Sequence, residues 1–274
     1  MNTVRVMSKN AAYQKFEVLR TNRNKRYRYG EFLVEGVRNI NQAIRNGWQF
    51  TSLLYSPETP LSRWAQEVLD TVSCDTHYQL SANLMQELSG KTDTSELLAI
   101  LRMRPDDPAL LHDSPCPLYI LFDLPSNHGN LGSIIRSADA LGADGLILTG
   151  HGVDLYHPEV ITASMGSFFN LPAIRMADND TVFDWIARQR DLHPGFQVIG
   201  TTAHKQLNIT QVDFRLPTLL MIGNETDGLC RAFKEGCDLL ATIPMADTSS
   251  ASSFNVACAA TVMMYEVCRQ RAQE

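Results

Sequence analysis

Apolar and polar positions divide this chain into two patterned stretches joined by a proline-rich segment. In the first stretch, Glu31-Phe-Leu-Val-Glu35 has the length and apolar centre of a strand. Val37 to Asn46 follows with Val37, Ile40, Ala43 and Ile44 on one helical face and Gly47 as its stop. Phe50 to Tyr55 reads as a second strand, and Ser62 to Asp70 as a helix. Ser81 is placed to cap a further helix that buries Leu84, Met85 and Leu88. These elements predict a small α/β domain over residues 1–104. Residues 105–116 lie within a stretch, Arg104 to Pro117, that contains four prolines and two Asp-rich turns and reads as a linker.

Over residues 117–274 the pattern changes. Short, almost wholly apolar runs at Leu118 to Asp123, Gly145 to Thr149, Phe196 to Thr201, Thr218 to Ile222 and Leu240 to Ile243 alternate with helical stretches. Strands of that kind are buried on both faces, so a second α/β domain with a mostly parallel sheet is expected. From Val256 to Tyr265 the last helix is apolar or small on every side. Burial all round is therefore expected of it, and with that burial a partner subunit.

Composition narrows the classes. The 274 residues are 44% hydrophobic and 20% charged, as in ordinary globular proteins, and no apolar run approaches the roughly 18 residues of a membrane-spanning helix. The N-terminal MNTVRVMSKN has no apolar core of a secretory signal. Cys74, Cys116, Cys230, Cys237, Cys258 and Cys268 form no CxxC pair and read as reduced thiols, so a cytoplasmic setting without a metal site is expected. The net charge of -6 points away from nucleic acid until its distribution is considered. Residues 1–30 hold eight Lys or Arg against one Glu, leaving 16 basic and 29 acidic residues downstream. Arg20, Arg23, Lys25, Arg26 and Arg28, interleaved with Asn and two tyrosines, have the composition of a surface that contacts phosphates and stacks on unpaired bases. A solvated helix end has the same composition.

Ligands of parallel sheets sit at the carboxyl ends of the strands, so the loops there carry the chemistry. After the first strand comes Asn127-His-Gly-Asn-Leu-Gly-Ser-Ile-Ile-Arg136, in which two glycines suit a turn that lets backbone approach a ligand. Ile134, Ile135, Ala138 and Leu141 then face inward and leave Arg136 on the polar side, free for a ligand or for an ion pair with Asp139. After the fourth strand comes Gly223-Asn-Glu225, where Glu225 can fix a polar ligand group or answer a helix dipole. After the fifth, Ile243-Pro-Met245 leads through a Ser-rich loop to Ser253-Phe-Asn-Val256; Ser253 and Asn255 can cap the last helix or meet a ligand. No Gly-x-Gly-x-x-Gly follows the first strand, which argues against a dinucleotide site.

Jointly these segments resemble the three motifs of the SpoU family of RNA 2′-O-methyltransferases. Asn130, Gly132 and Arg136 match the first, Gly223-Asn224-Glu225 with Gly228-Leu229 the second, and Ile243-Pro244-Met245 with Ser253-Phe254-Asn255-Val256 the third. Phe254 stands where the family more often has Leu. The N-terminal stretch is similar, more loosely, to the L30e-like substrate-binding domain found in many of these enzymes. The resemblance implies a SPOUT trefoil-knotted parallel-sheet domain, a homodimer packed partly through the last helix, and S-adenosylmethionine held by Thr201, Thr202, Gly223, Asn224, Ile243, Met245 and Phe254. It implies methyl transfer to an RNA ribose, with rRNA favoured over tRNA by the N-terminal domain. Arg136 is the expected central residue, acting on phosphate and developing oxyanion because arginine stays protonated, with Asn130, Glu225, Ser253 and Asn255 completing the site. A catalytically silent RNA-binding protein on the same fold is the alternative from another class, and these intact residues argue against it.

Overall fold

The structure is a computed structural model that describes residues 2–91, 93–204 and 206–272. The chain forms two compact units. The first contains the chain up to Arg104 together with Asp154–Asn170, and the second contains Pro105–Val153 and the chain from Leu171 onward.

In the first unit, β1 (Asn2–Val6) leads to α1 (Ala11–Thr21) and α2 (Arg23–Tyr29). There follow β2 (Glu31–Glu35), α3 (Val37–Arg45), β3 (Phe50–Tyr55), α4 (Arg63–Thr71), β4 (Thr76–Leu80), α5 (Ala82–Leu88) and β5 (Leu97–Arg102). The sheet order is β1-β4-β3-β5-β2, parallel from β1 to β3 and antiparallel where β5 meets β3 and β2. Side-chain oxygens of Asn10, Asn22, Ser62 and Ser81 accept amide hydrogen bonds at the starts of α1, α2, α4 and α5, supplying partners for donors that a helix leaves unpaired. One core lies between α1 (Tyr13, Phe16, Leu19), α5 (Leu84, Met85, Leu88) and the sheet residues Leu33, Leu54, Leu80, Leu98 and Ile100.

The second unit opens with β6 (Leu118–Phe122), α6 (His128–Ala140) and β7 (Gly145–Thr149). The chain then enters the first unit for Asp154–Asn170, which includes α7 (Pro158–Ala163), and returns at β8 (Ala173–Met176). It continues through α8 (Asn179–Leu192), β9 (Gln197–Thr201), β10 (Leu207–Asn208), β11 (Thr218–Ile222), α9 (Arg231–Gly236), β12 (Leu239–Thr242) and α10 (Val256–Arg271). The sheet is parallel throughout, in the order β10-β12-β9-β11-β6-β7-β8. Tyr119, Leu121, Ile147, Ile174, Val198, Leu219 and Met221 from its strands pack with Val182, Trp185 and Ile186 of α8 in a single apolar cluster. Because β12, β9 and β11 are neighbours, the loops at their carboxyl ends adjoin one another.

Four expectations are corrected. Asp154–Asn170 belongs to the first unit because its aromatic residues fill that unit's second core: Phe32 and Trp48 pack on Tyr156, Phe168 and Phe169 with ring centroids 4.9–5.9 Å apart. Trp48 Nε1 also donates to the Phe169 carbonyl at 2.9 Å. Residues 105–116 are no free linker. Leu111 joins the second unit's core, the Arg175 amide donates to Asp106, and Tyr119 donates to the His112 carbonyl. Gly129 and Gly132 lie inside α6 rather than in a turn. Finally, α10 is not buried on every side of the single chain. It packs against α6 and buries Ala257, Ala260, Met263, Met264 and Val267, while Cys258, Val262 (39% exposed) and Tyr265 (58% exposed) form an outward stripe.

Candidate active site

The second unit's site is built on the ends of three strands and the start of one helix. At the end of β6, buried Asp123 accepts hydrogen bonds from Thr149 Oγ1 at 2.6 Å and from the Cys230 amide at 2.8 Å, joining three strand-end loops. The next residue, Leu124, takes a positive φ of 48°, and its carbonyl accepts from Asn224 Nδ2 at 2.6 Å. Asn224 and Gly228 exchange backbone hydrogen bonds at 3.0 Å and close the loop after β11 into a tight turn. Gly223 is glycine for a steric reason: a Cβ there would lie 2.2 Å from the Leu229 nitrogen and 2.3 Å from the Gly228 carbonyl carbon. Glu225 therefore sits in a closed turn, not in the first turn of a helix, and its orientation comes from its hydrogen bonds.

Those bonds form a chain. Glu225 Oε2 accepts from Ser126 Oγ at 2.5 Å and from the Ser126 amide at 3.3 Å, and Oε1 accepts from Asn130 Nδ2 at 3.1 Å. Asn130 Oδ1 in turn accepts from Asn255 Nδ2 at 3.2 Å. Asn255 meanwhile caps α10, its Oδ1 accepting from the amides of Ala257 and Cys258 at 2.9 and 3.3 Å. Capping and site-building, which the sequence leaves as alternatives for Asn255, are performed by the two ends of one amide. Partial burial pushes the Glu225 carboxyl up, but the hydrogen bonds from Ser126 and Asn130 outweigh it and hold the group below the ordinary glutamate value.

Beside this chain lies a cleft of about 360 Å³, within the roughly 300–1,000 Å³ of typical ligand pockets. All seven residues assigned to the cofactor line it: Thr201, Thr202, Gly223, Asn224, Ile243, Met245 and Phe254. Glu225 and Ser253 line it as well, and Phe254 is 45% exposed at its mouth. Asn130 reaches it through Glu225, and Asn255 through Asn130. Arg136 does not line it; it is exposed on α6. Ser126 and Asp123 were not singled out by sequence reasoning. The available signal was their position, polar residues directly at and after the end of an apolar strand. The cleft residues His204 and Lys234 carried no comparable signal.

The five cations of the N-terminal segment are arranged differently. Arg26 is corrected from an RNA-facing residue to a buried one. At 1% exposure, it donates through Nε and Nη2 to Asp154 Oδ2 at 2.8 and 2.5 Å, and through Nη1 to the carbonyls of Leu19 and Arg20. Arg20 is half-buried and donates to the carbonyls of Glu87 and Leu88 at the end of α5. Arg23 and Lys25 are half-buried, and Arg28 is exposed.

Comparison with known proteins agrees with this geometry. The model of the SpoU rRNA Methylase family matches residues 117–265, and that of the SpoU L30e-like domain matches residues 10–99. The 23S rRNA (uridine(2479)-2′-O)-methyltransferase of Streptomyces viridochromogenes is 45% identical over 268 residues, covering 97% of this chain and 92% of its own. The crystal structure of the SpoU methyltransferase AviRb from the same organism, in complex with the cofactor AdoMet, has a TM-score of 0.90 at 45% identity, over 96% of this chain and 98% of that one. The AdoMet-bound rRNA methyltransferase from Sinorhizobium meliloti has a TM-score of 0.83 at 28% identity, over 97% of this chain and 98% of its own.

Proposed function

Because the chain belongs to the SpoU rRNA methylase family, we propose that it methylates a ribose 2′-hydroxyl of ribosomal RNA, using S-adenosylmethionine. The observation that carries this reading is the hydrogen-bonded chain Ser126–Glu225–Asn130–Asn255 at the rim of a ligand-sized cleft, assembled from segments far apart in sequence. The cleft suits the cofactor. Ile222, Leu229, Ile243, Met245 and Met263 offer apolar surface to an adenosine, and the ionised Glu225 at the rim is compatible with a positively charged sulfonium.

When bound, S-adenosylmethionine supplies the electrophilic methyl group. The protein's own share is alignment and charge. Glu225 holds Asn130 by its Nδ2, and Asn255 holds it by its Oδ1, so the Asn130 amide is fixed at both ends and presents one face to the substrate. Arg136 cannot accept the ribose proton, because a guanidinium stays protonated; its part is to grip a phosphate beside the target ribose and to stabilise charge developing on the 2′-oxygen. Its exposure leaves it available for that contact. A homodimer through the outward stripe of α10 and a cytoplasmic setting belong to the same reading. No helix among the described residues is long and apolar enough to cross a membrane.

The test is methyl transfer from labelled S-adenosylmethionine to rRNA and tRNA isolated from cells lacking the protein, with Arg136→Ala and Arg136→Lys as controls. Label in rRNA is expected, lost in Arg136→Ala and reduced about a hundredfold or more in Arg136→Lys, because lysine lacks the planar fork. Cofactor affinity is expected to change only a few-fold in either variant. Label confined to tRNA would overturn the substrate assignment, and full activity of Arg136→Lys would overturn the role of the guanidinium.

A further inference from the structure

Helix α2 orders its side chains around one inward residue. Arg26 is buried and held at four hydrogen bonds, so the rotation of about 100° per residue turns Arg28 outward and sets Tyr27 and Tyr29 on the two shoulders. Both side chains are partly accessible, Tyr27 at 41% and Tyr29 at 42%, with the Tyr27 ring T-shaped to that of Tyr156 at 6.3 Å between centroids. Each has a cation over it: Arg23 lies 5.6 Å from the Tyr27 ring centroid, and Lys15 of α1 lies 5.3 Å from that of Tyr29. The seven residues of α2 include four cations and no carboxylate. Glu31, directly beyond it, is buried and paired with Lys15.

A scattered exposed aromatic is ordinary on a protein surface. Two on one short helix, flanked by cations and fixed by a buried guanidinium, make a rigid surface that offers π faces and positive charge together. A double-stranded RNA keeps its base faces stacked on one another, so only unpaired bases can lie against a tyrosine ring, and the same ring tolerates any base. We propose that α2 is a stacking site for unpaired bases of the RNA substrate, with Tyr27 and Tyr29 receiving bases and Arg28 a neighbouring phosphate. The inference rests on the RNA-substrate reading above and deepens it: at this contact the substrate is a loop or single strand.

The experiment uses the full chain and two probes, a short single-stranded oligoadenylate and a blunt RNA duplex of the same length. Tyr27→Leu/Tyr29→Leu is expected to weaken oligoadenylate binding about tenfold or more, the loss expected when base–aromatic stacking is removed, with duplex affinity and cofactor affinity unchanged. Tyr27→Phe/Tyr29→Phe keeps the rings and is expected to bind as the wild type does. Since no charge is altered, the salt dependence of binding is expected to keep its slope in both variants. Unchanged oligoadenylate affinity in the Leu pair, an equal loss toward the duplex, or a Phe pair as weak as the Leu pair would each overturn the proposal. A wild-type protein that binds oligoadenylate through these tyrosines and methylates no RNA would leave the stacking site standing and overturn the methyltransferase reading instead.

Discussion

Replacing Arg26 with Met separates a structural cation from a substrate-binding one. The substitution removes four hydrogen bonds and leaves the Asp154 carboxylate, 3% exposed, without its guanidinium partner. Stripping one partner from a buried ion pair costs about 3–5 kcal/mol, because the remaining charge is uncompensated. Against a total stability of roughly 5–15 kcal/mol, that is enough to lower the urea midpoint of the first unit severely. Trp48 reports on this region directly, since it packs on Phe168 and Phe169 from the same segment as Asp154. Its fluorescence can be isolated by replacing Trp64 and Trp185 with Phe. The companion Arg26→Met/Asp154→Leu removes both charges and is expected to recover much of the loss. A single-variant cost below about 1 kcal/mol, the size of an exposed pair, would refute the argument, as would a double variant no more stable than the single. In conditions where Arg26→Met remains folded, the salt slope of its RNA binding is expected to match that of the wild type, because a buried, paired charge neutralises no phosphate.

Two further outcomes follow from the site. The Glu225 carboxyl is held below its ordinary value, so its hydrogen bonds to Ser126 and Asn130 are intact above about pH 4.3 and are lost only as pH falls through that lowered value. Any fall of kcat/KM on the acid side of neutral pH is therefore expected to be the same in wild type and Glu225→Gln, with the variant lower throughout because its amide sets a donor against a donor; a fall that moves in Glu225→Gln would assign that titration to Glu225. Gly223→Ala places a methyl against the backbone of Gly228 and Leu229, and calorimetry is expected to show cofactor binding weakened about tenfold or more, as an overpacking cost of about 1–3 kcal/mol implies. Unchanged binding would mean that the loop moves aside without deforming the cleft.

What was legible in the sequence was whatever has a local cause. The strands Glu31–Glu35, Phe50–Tyr55, Gly145–Thr149 and Thr218–Ile222 are found where their apolar runs predict them, because the buried part of a strand is apolar. Ser62 and Ser81 cap their helices as read, since a cap depends on a hydroxyl and the amides within three residues of it. Strand Thr76–Leu80 was not found: THYQL mixes polar and apolar residues and is only partly buried, and its place in the sheet comes from parallel pairing with β1 and β3. Nothing local announces that Asp154–Asn170 completes the first unit's core. Its aromatic residues read equally well as part of the second.

The same division explains why the cleft was more readable than the cations. Thr201, Gly223 and Ile243 were assigned through the family resemblance, and they come together because each ends or follows a strand and parallel strands deliver their carboxyl ends to one edge of the sheet. Position along the chain is then nearly position in space. For a run such as Arg23-Asn-Lys-Arg-Tyr-Arg-Tyr29 it is not, since a helix distributes neighbouring residues around its whole circumference. Four cations in seven residues therefore cannot all face one ligand, and at least one must turn inward. Which one turns inward is decided by a carboxylate 128 positions away, Asp154, and no pattern within the run encodes it. By spending its charge in the interior, Arg26 sets the direction in which Tyr27, Arg28 and Tyr29 face.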